Sequence, residues 1–283
     1  MKEARIAVVL ERIAIALERQ GIAPRAEDFD NACCWRWEAA PLGGRLTAIE
    51  RPQFESLDKL RGLDKQIALV DANTRCFLRG APSCHVLLTG PRGTGKSSVV
   101  RGVFSRHADS GLRLIECDAA GLAQLPAILP ALAMRREKFI LYCDDLSFGR
   151  SNTSTLFQRL KSALEGGFSG TDNLRVYSTS NRRHLISENY DENLEGYSGG
   201  DEIHPGETNE EKISLSDRFG LWIPFCAPTV QEYEQLVRHW LGEYGVAVTA
   251  ARLGEARLWA DRRGSVSGRV ARHFAIACAA KSD

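Results

Sequence analysis

A chain of 283 residues, 43% of them hydrophobic, is long enough for one large domain or two modest ones. Its 37 lysines and arginines stand against 36 acids, a formal net charge of +1, which excludes strong global attraction to nucleic acid or anionic membrane. No apolar run reaches membrane-spanning length and no Cys-x-x-Cys pair occurs among the eight cysteines. A zinc framework and a disulfide scaffold therefore drop out, and the cysteines read as small core residues in a reducing, cytoplasmic compartment.

Taken from the amino end, residues 3–20 have helical spacing, interrupted by Arg12 and Glu18, and lack the zones of a signal peptide. The run Asn31-Ala-Cys-Cys-Trp-Arg-Trp reads as irregular, with Trp35 and Trp37 expected to pack beneath the core. A further helical pattern begins around residues 54–70. From residue 84 onward, strand-like runs at Val86–Thr89, Leu112–Cys117, Lys138–Cys143, Leu174–Thr179 and Leu221–Phe225 alternate with helical stretches. One of these, Thr153–Glu165, carries Leu156, Leu160 and Leu164 at four-residue spacing. Alternation of this kind predicts an α/β fold with a mainly parallel sheet covered on both faces. Between Glu188 and Glu211 lies an acidic, glycine-containing stretch, read as a long loop that is either solvated or partner-binding. After Pro228 the pattern changes to three amphipathic helices, Val230–Tyr244, Ala250–Asp261 and Val266–Ala280, which predict a small helical unit.

The chemistry concentrates at the end of the first of these strands. Gly90-Pro91-Arg92-Gly93-Thr94-Gly95-Lys96-Ser97 is Gly-x4-Gly-Lys-Ser between a strand and a helix that begins Ser98-Val99-Val100. The glycines allow successive N–H groups to point inward as an anion nest at a helix's positive end. Lys96 supplies a charge for β- and γ-phosphates, and the Ser97 hydroxyl is placed to ligate Mg²⁺. A nucleoside triphosphate is therefore the expected ligand. The strand Phe139-Ile-Leu-Tyr-Cys ends in Asp144 and Asp145; the first suits the metal that Ser97 touches, the second can polarise an attacking water. A later strand ends in Ser180-Asn181-Arg182-Arg183-His184, and Asn181 is the candidate to bond the water or the γ-phosphate. GTP recognition would call for an Asn-Lys-x-Asp run, and none occurs.

The phosphate loop, the two strand ends and the helical carboxyl-terminal part together resemble the AAA+ ATPases, over roughly residues 50 to 283. Tyr142-Cys-Asp-Asp-Leu-Ser-Phe, Thr179-Ser-Asn-Arg-Arg-His-Leu and Ser214-Leu-Ser-Asp-Arg-Phe-Gly-Leu are similar to a bacterial AAA+ family of unknown function. The resemblance implies a P-loop NTPase fold with a five-stranded sheet in the order five-one-four-three-two and a helical lid. Residues 1–50 would then form an extension, 51–227 the nucleotide-binding domain and 228–283 the lid. The resemblance also implies that Arg218, in Ser216-Asp217-Arg218-Phe219, is an arginine finger reaching a neighbouring subunit's γ-phosphate. By the same likeness Arg269 would sense the γ-phosphate in its own subunit, with Arg272 as the fallback, and Leu60–Gln66 would lie along the adenine.

Two departures from that family stand out. Where AAA+ hydrolases carry Asp-Glu this chain has Asp144-Asp145, and residues Asp118–Pro126 contain no aromatic pore loop. The first reading that follows is an Mg²⁺- and ATP-dependent hydrolase, working as a homo-oligomer (a ring, such as a hexamer, or a helical array) on a partner macromolecule. That partner is taken as a protein, with nucleic acid left open by Arg182, Arg183 and His184. The second is a slow-hydrolysing ATP switch. A small-molecule kinase ranks third, because it would leave the finger and sensor arginines unexplained.

Overall fold

The computed structural model describes residues 24, 26–40, 43–52, 54, 56–146, 172–181 and 218–281. The helices expected at 3–20 and 153–165, the Arg182-Arg183-His184 cluster and the acidic stretch 188–211 lie outside the described residues.

The described strands are β1 (Cys34–Ala40), β2 (Gly43–Ala48), β3 (Val86–Thr89), β4 (Leu112–Cys117), β5 (Lys138–Cys143), β6 (Leu174–Ser180) and β7 (Leu221–Pro224). They form a single sheet in the order β2-β1-β4-β5-β6-β3-β7. All pairings are parallel except β1 with β2. Strand count and order thus differ from the five-stranded expectation by two strands, β1 and β2, added beside β4. The five expected strands stand inside the larger sheet as β4-β5-β6-β3-β7.

Those two strands correct the reading of residues 31–37 as irregular. Trp35 and Trp37 alternate with Arg36, but after the apolar pair Cys33-Cys34 so short an alternation does not by itself mark a strand. Its partner marks it instead. Trp37 faces Leu46 across the β1–β2 ladder, and a Cβ at neighbouring Gly44 would stand 2.1 Å from the Trp37 ring. Only glycine leaves room for the indole. Trp35 and Trp37 are fully buried, as expected, and the gain from taking each ring out of water is offset in part by an indole N–H with no acceptor among the described residues. Both belong to the same apolar cluster as Leu87, Ile115, Phe139, Leu141 and Val176.

Side chains alternate across the sheet, as strand geometry requires. Leu87, Ile115 and Leu141 face that first cluster, while Val86, Leu88, Leu114, Ile140 and Tyr177 face a second one. The second is closed by helices α1 (Asp64–Leu78) and α2 (Lys96–His107), through Val70, Phe77, Val99, Val100 and Val103. Helices α3 (Ala119–Ala123) and α4 (Leu125–Ala133) cover the first face. Each sheet face is therefore buried, the condition under which parallel strands read as continuous apolar runs.

After β7 come α5 (Val230–Glu243), α6 (Ala250–Arg262) and α7 (Gly268–Ala279), which share a third core of Tyr233, Val237, Trp240, Leu253, Ala256, Val270 and Phe274. Each begins at a side-chain cap, from Thr229, Thr249 and Ser267, and the first is a full capping box with Glu232. No described helix is long and apolar enough to cross a membrane. None of the eight cysteines is in a disulfide, but only Cys34, Cys117 and Cys143 are buried, fewer than the apolar runs suggested.

One half-buried histidine ties β3 to β6. His85 Nδ1 accepts the Val176 amide proton at 2.9 Å, a bond that a ring protonated on that nitrogen cannot accept. Burial, with Arg175 nearby, pushes its pKa from 6.5 down to about 4. The unfolded chain takes up this proton near pH 6.5 and the folded chain does not. The stabilisation is therefore complete above pH 6.5 and is lost as pH falls towards 4, on the order of 3 kcal/mol in total. Denaturant midpoints measured from pH 7 to pH 4.5 should decline accordingly, and a His85→Gln variant should remove part of that decline.

Candidate functional site

The phosphate loop joins the carboxyl end of β3 to the amino end of α2, so the helix aims its unpaired N–H groups at whatever the loop encloses. Two of its glycines are demanded by position. At Gly90, φ is +137° and a Cβ would lie 2.0 Å from the Phe225 carbonyl oxygen, where the chain leaves β7. At Gly93, φ is +79° and a Cβ would lie 2.7 Å from Ser267 Oγ, at the cap of α7. The loop is thus pinched between the last strand and the carboxyl-terminal helices. Thr94 reinforces the curl by donating to the Pro91 carbonyl at 2.9 Å.

Lys96 is buried, and its ammonium donates to the carbonyls of Gly90 and Pro91 at 2.6 and 2.8 Å and to Asn181 Oδ1 at 3.1 Å. Burial lowers its pKa; Asp145 and Asp144 pull the other way. Asn181 then hands its amide to Asp145 Oδ1 at 2.5 Å. Lys96, Asn181 and Asp145, which lie far apart in sequence, form one hydrogen-bonded line. Asp145 Oδ2 lies 3.5 Å from the Arg92 guanidinium.

Asp144 takes Ser97 Oγ at 2.8 Å, Tyr142 Oη at 2.8 Å and Thr179 Oγ1 at 2.7 Å, all on Oδ1. Partial burial pushes its pKa up, and these three donors, with Arg101, more than offset that, so the net shift is downward. The group is held ionised. A hydroxyl and a carboxylate are hard oxygen donors, so Ser97 and Asp144 fit Mg²⁺, which is bound through one or two carboxylates plus substrate phosphates.

The next residue has an unusual backbone. Asp145 has φ +58°, in the left-handed region, and its amide donates to Thr179 Oγ1 at 2.9 Å. A non-glycine residue there costs on the order of 1 kcal/mol and requires its surroundings to enforce it. The strand end is therefore reshaped at the position where glutamate was the expected type.

Most of these groups, though not Gly90, Pro91 or Tyr142, border a cavity of about 780 Å³. Arg92 to Ser98, Asp144, Asp145 and Asn181 line it. So do Leu60, Leu63 and Gln66 from the segment expected along the base, with Leu236 and Trp240 from α5. Arg269 lines the cavity, and its amide donates to the Gly93 carbonyl at 3.4 Å. Arg272 also lines it, with its guanidinium 5.0 Å from the Trp240 ring and donating to Tyr244 Oη at 3.1 Å. Gly90 and Pro91, the first residues of the loop, do not line the cavity and touch the site through Lys96. Arg218 is exposed on the turn before β7 and is not among the cavity's lining residues. Tyr142, Thr179 and Trp240 escaped the sequence reading. Tyr142 could have been found, since two residues along a strand return to the same side.

Over residues 30–282 the sequence matches the family described as "Protein of unknown function (DUF815)". The chain belongs to that family. No curated protein matches it. Among solved structures it is similar to the Thermotoga maritima RuvB Holliday junction branch migration motor, with TM-score 0.50 and 19% identity over 80% of this chain. This chain spans 63% of the length of that one. It is also similar to the FIGL-1 AAA domain solved in complex with ADP, at TM-score 0.51 and 18% identity, covering 78% of this chain and 72% of the other. At these identities the likeness carries the fold, and the fold of this family member is the AAA+ P-loop fold.

Proposed function

We propose that this chain binds Mg-ATP in the cavity and hydrolyses it as part of a homo-oligomer that acts on a partner macromolecule. The observation that carries the reading is the line Lys96–Asn181–Asp145 beside the Ser97–Asp144 pair, in one cavity at the mouth of a phosphate loop. Lys96 and the loop amides hold the β- and γ-phosphates. Ser97 and Asp144 hold Mg²⁺, which supplies charge neutralisation on those phosphates when bound. Asp145, steadied by Asn181, takes the proton of the attacking water. Arg269 reads the γ-phosphate from the lid, and Leu63 and Trp240, which also line the cavity, take the base. FIGL-1's AAA domain, of like fold, was solved with ADP, which supports an adenine nucleotide here. We take residues 51–227 as the nucleotide-binding part and 228–283 as the lid.

A second reading, an ATP switch with slow turnover, is favoured by one specific observation. Asp145 is both one methylene shorter than glutamate and already engaged by Asn181 and Arg92. Displacement of a catalytic group by about 1 Å can cost a hundredfold.

Calorimetric titration with Mg-ATP, followed by a phosphate-release assay, tests the pair. Saturable binding with steady turnover supports the first reading, and tight binding with negligible turnover supports the second. No heat at millimolar nucleotide would remove both.

A further inference from the structure

Glu116 lies outside the cavity, yet it is the hub of a chain of charges that ends on Asp144. Across three neighbouring strands, register places Arg36 opposite Glu116 and Glu116 opposite Tyr142. Arg101, on α2, lies over this row. Its Nε donates to Glu116 Oε1 at 3.2 Å, and its guanidinium stands 5.6 Å from the Tyr142 ring centre. The same guanidinium makes only a long ion pair with Asp144 Oδ2, at 3.7 Å and beyond hydrogen-bonding range. Glu116 Oε2 faces Arg36 at 3.5 Å. Of these charged side chains Glu116 is the most shielded, at 16% exposure against 37% for Arg101 and 44% for Asp144.

Asp144 therefore divides its oxygens. Oδ1 accepts from Ser97, Tyr142 and Thr179, while Oδ2 faces a cation that another carboxylate already holds. An arginine fork matches a carboxylate closely and, unrestrained, would compete with a divalent cation for it. We infer that Glu116 is a positioning residue for the metal-holding carboxylate: it keeps Arg101 from closing on Asp144, and so leaves Asp144 available to Mg²⁺. The inference rests on the reading of Asp144 as an Mg²⁺ ligand. It also gives the unexpected strand β1 a place in the argument, since β1 lies against β4 where Glu116 stands.

The test is the Mg²⁺ concentration that half-saturates binding of a fluorescent ATP analogue, a measurement that needs no turnover. Glu116→Gln frees Arg101 and is expected to raise that half-point about tenfold, the scale on which groups behind metal ligands act. Adding Arg101→Gln removes the competitor and should bring the half-point back to within about threefold of wild type, a recovery that two merely structural lesions would not give. Arg36→Gln, which touches only the outer oxygen of Glu116, should stay within about twofold. If Glu116→Gln does not fold, Glu116→Asp, which withdraws the charge by one methylene, is expected to shift the half-point in the same direction. An unchanged half-point in the Glu116 variant, or a double variant that keeps the full defect, would overturn the inference while leaving the ATP reading intact. Wild-type binding that ignores Mg²⁺ would overturn the metal reading itself, before any variant is compared.

Discussion

Equimolar Lys96→Ala and Arg218→Ala subunits are expected to hydrolyse ATP when mixed and to be inactive apart. The geometry motivates this result. Lys96, Asn181, Asp145 and Arg269 all border one cavity within a single chain, whereas exposed Arg218, on the turn that enters edge strand β7, does not line it. An arginine able to stabilise charge on the γ-phosphate from there has to serve a cavity in another copy. Such a finger is worth about 10³–10⁵ in rate, so its loss should silence turnover while leaving ATP affinity nearly unchanged. Loss of Lys96 should instead weaken binding, because an ammonium at the phosphate loop acts on ground state and transition state alike. In a random mixture about a quarter of head-to-tail sites pair an intact Lys96 with an intact Arg218, so recovery to that order is the expected signal. Phosphate release across a mixing series, together with mass measured in solution, reads both parts. Wild-type turnover by Arg218→Ala alone would remove the shared site.

How much of this was legible in the chain depends on how local the signal is. The run Gly90–Ser97 declares itself because each residue's role is local: turn, nest, charge, hydroxyl. The strands β3 to β6 declare themselves because burial on both faces removes polar residues from their middles. Residues 34–48 did not. Trp35 and Trp37 alternate with Arg36, and the reason that segment is a strand lies in Gly44 opposite and β4 alongside, neither visible from within the run. The charge chain through Glu116 was hidden for the same reason, since register across strands brings Arg36, Glu116 and Tyr142 into one row. The substitution of aspartate for glutamate at 145 was plain in the sequence. Its consequence was not, because a left-handed backbone is set by Thr179 and Asn181 from the neighbouring strand.

That backbone makes Asp145→Asn the sharpest single substitution at this site. Asparagine tolerates the left-handed region about as well as aspartate and keeps an oxygen to accept from Asn181, so the loop should retain its shape. What disappears is the negative charge and the ability to take a proton. Hydrolysis is expected to fall by about 10²–10⁴, the usual worth of a positioned base, while Mg-ATP affinity measured by calorimetry stays within about threefold. Asp145→Glu would supply the side-chain length that the AAA+ resemblance implies, yet it places a longer side chain on a backbone that favours Asp and Asn, at a cost on the order of 1 kcal/mol in stability. Comparing the two in single-turnover assays separates reach from basicity. If glutamate accelerates turnover despite lower stability, the short aspartate limits the wild-type rate and the slow switch gains ground. If Asp145→Asn turns over as fast as wild type, this carboxylate is not the base, and the Lys96–Asn181–Asp145 line serves binding rather than cleavage.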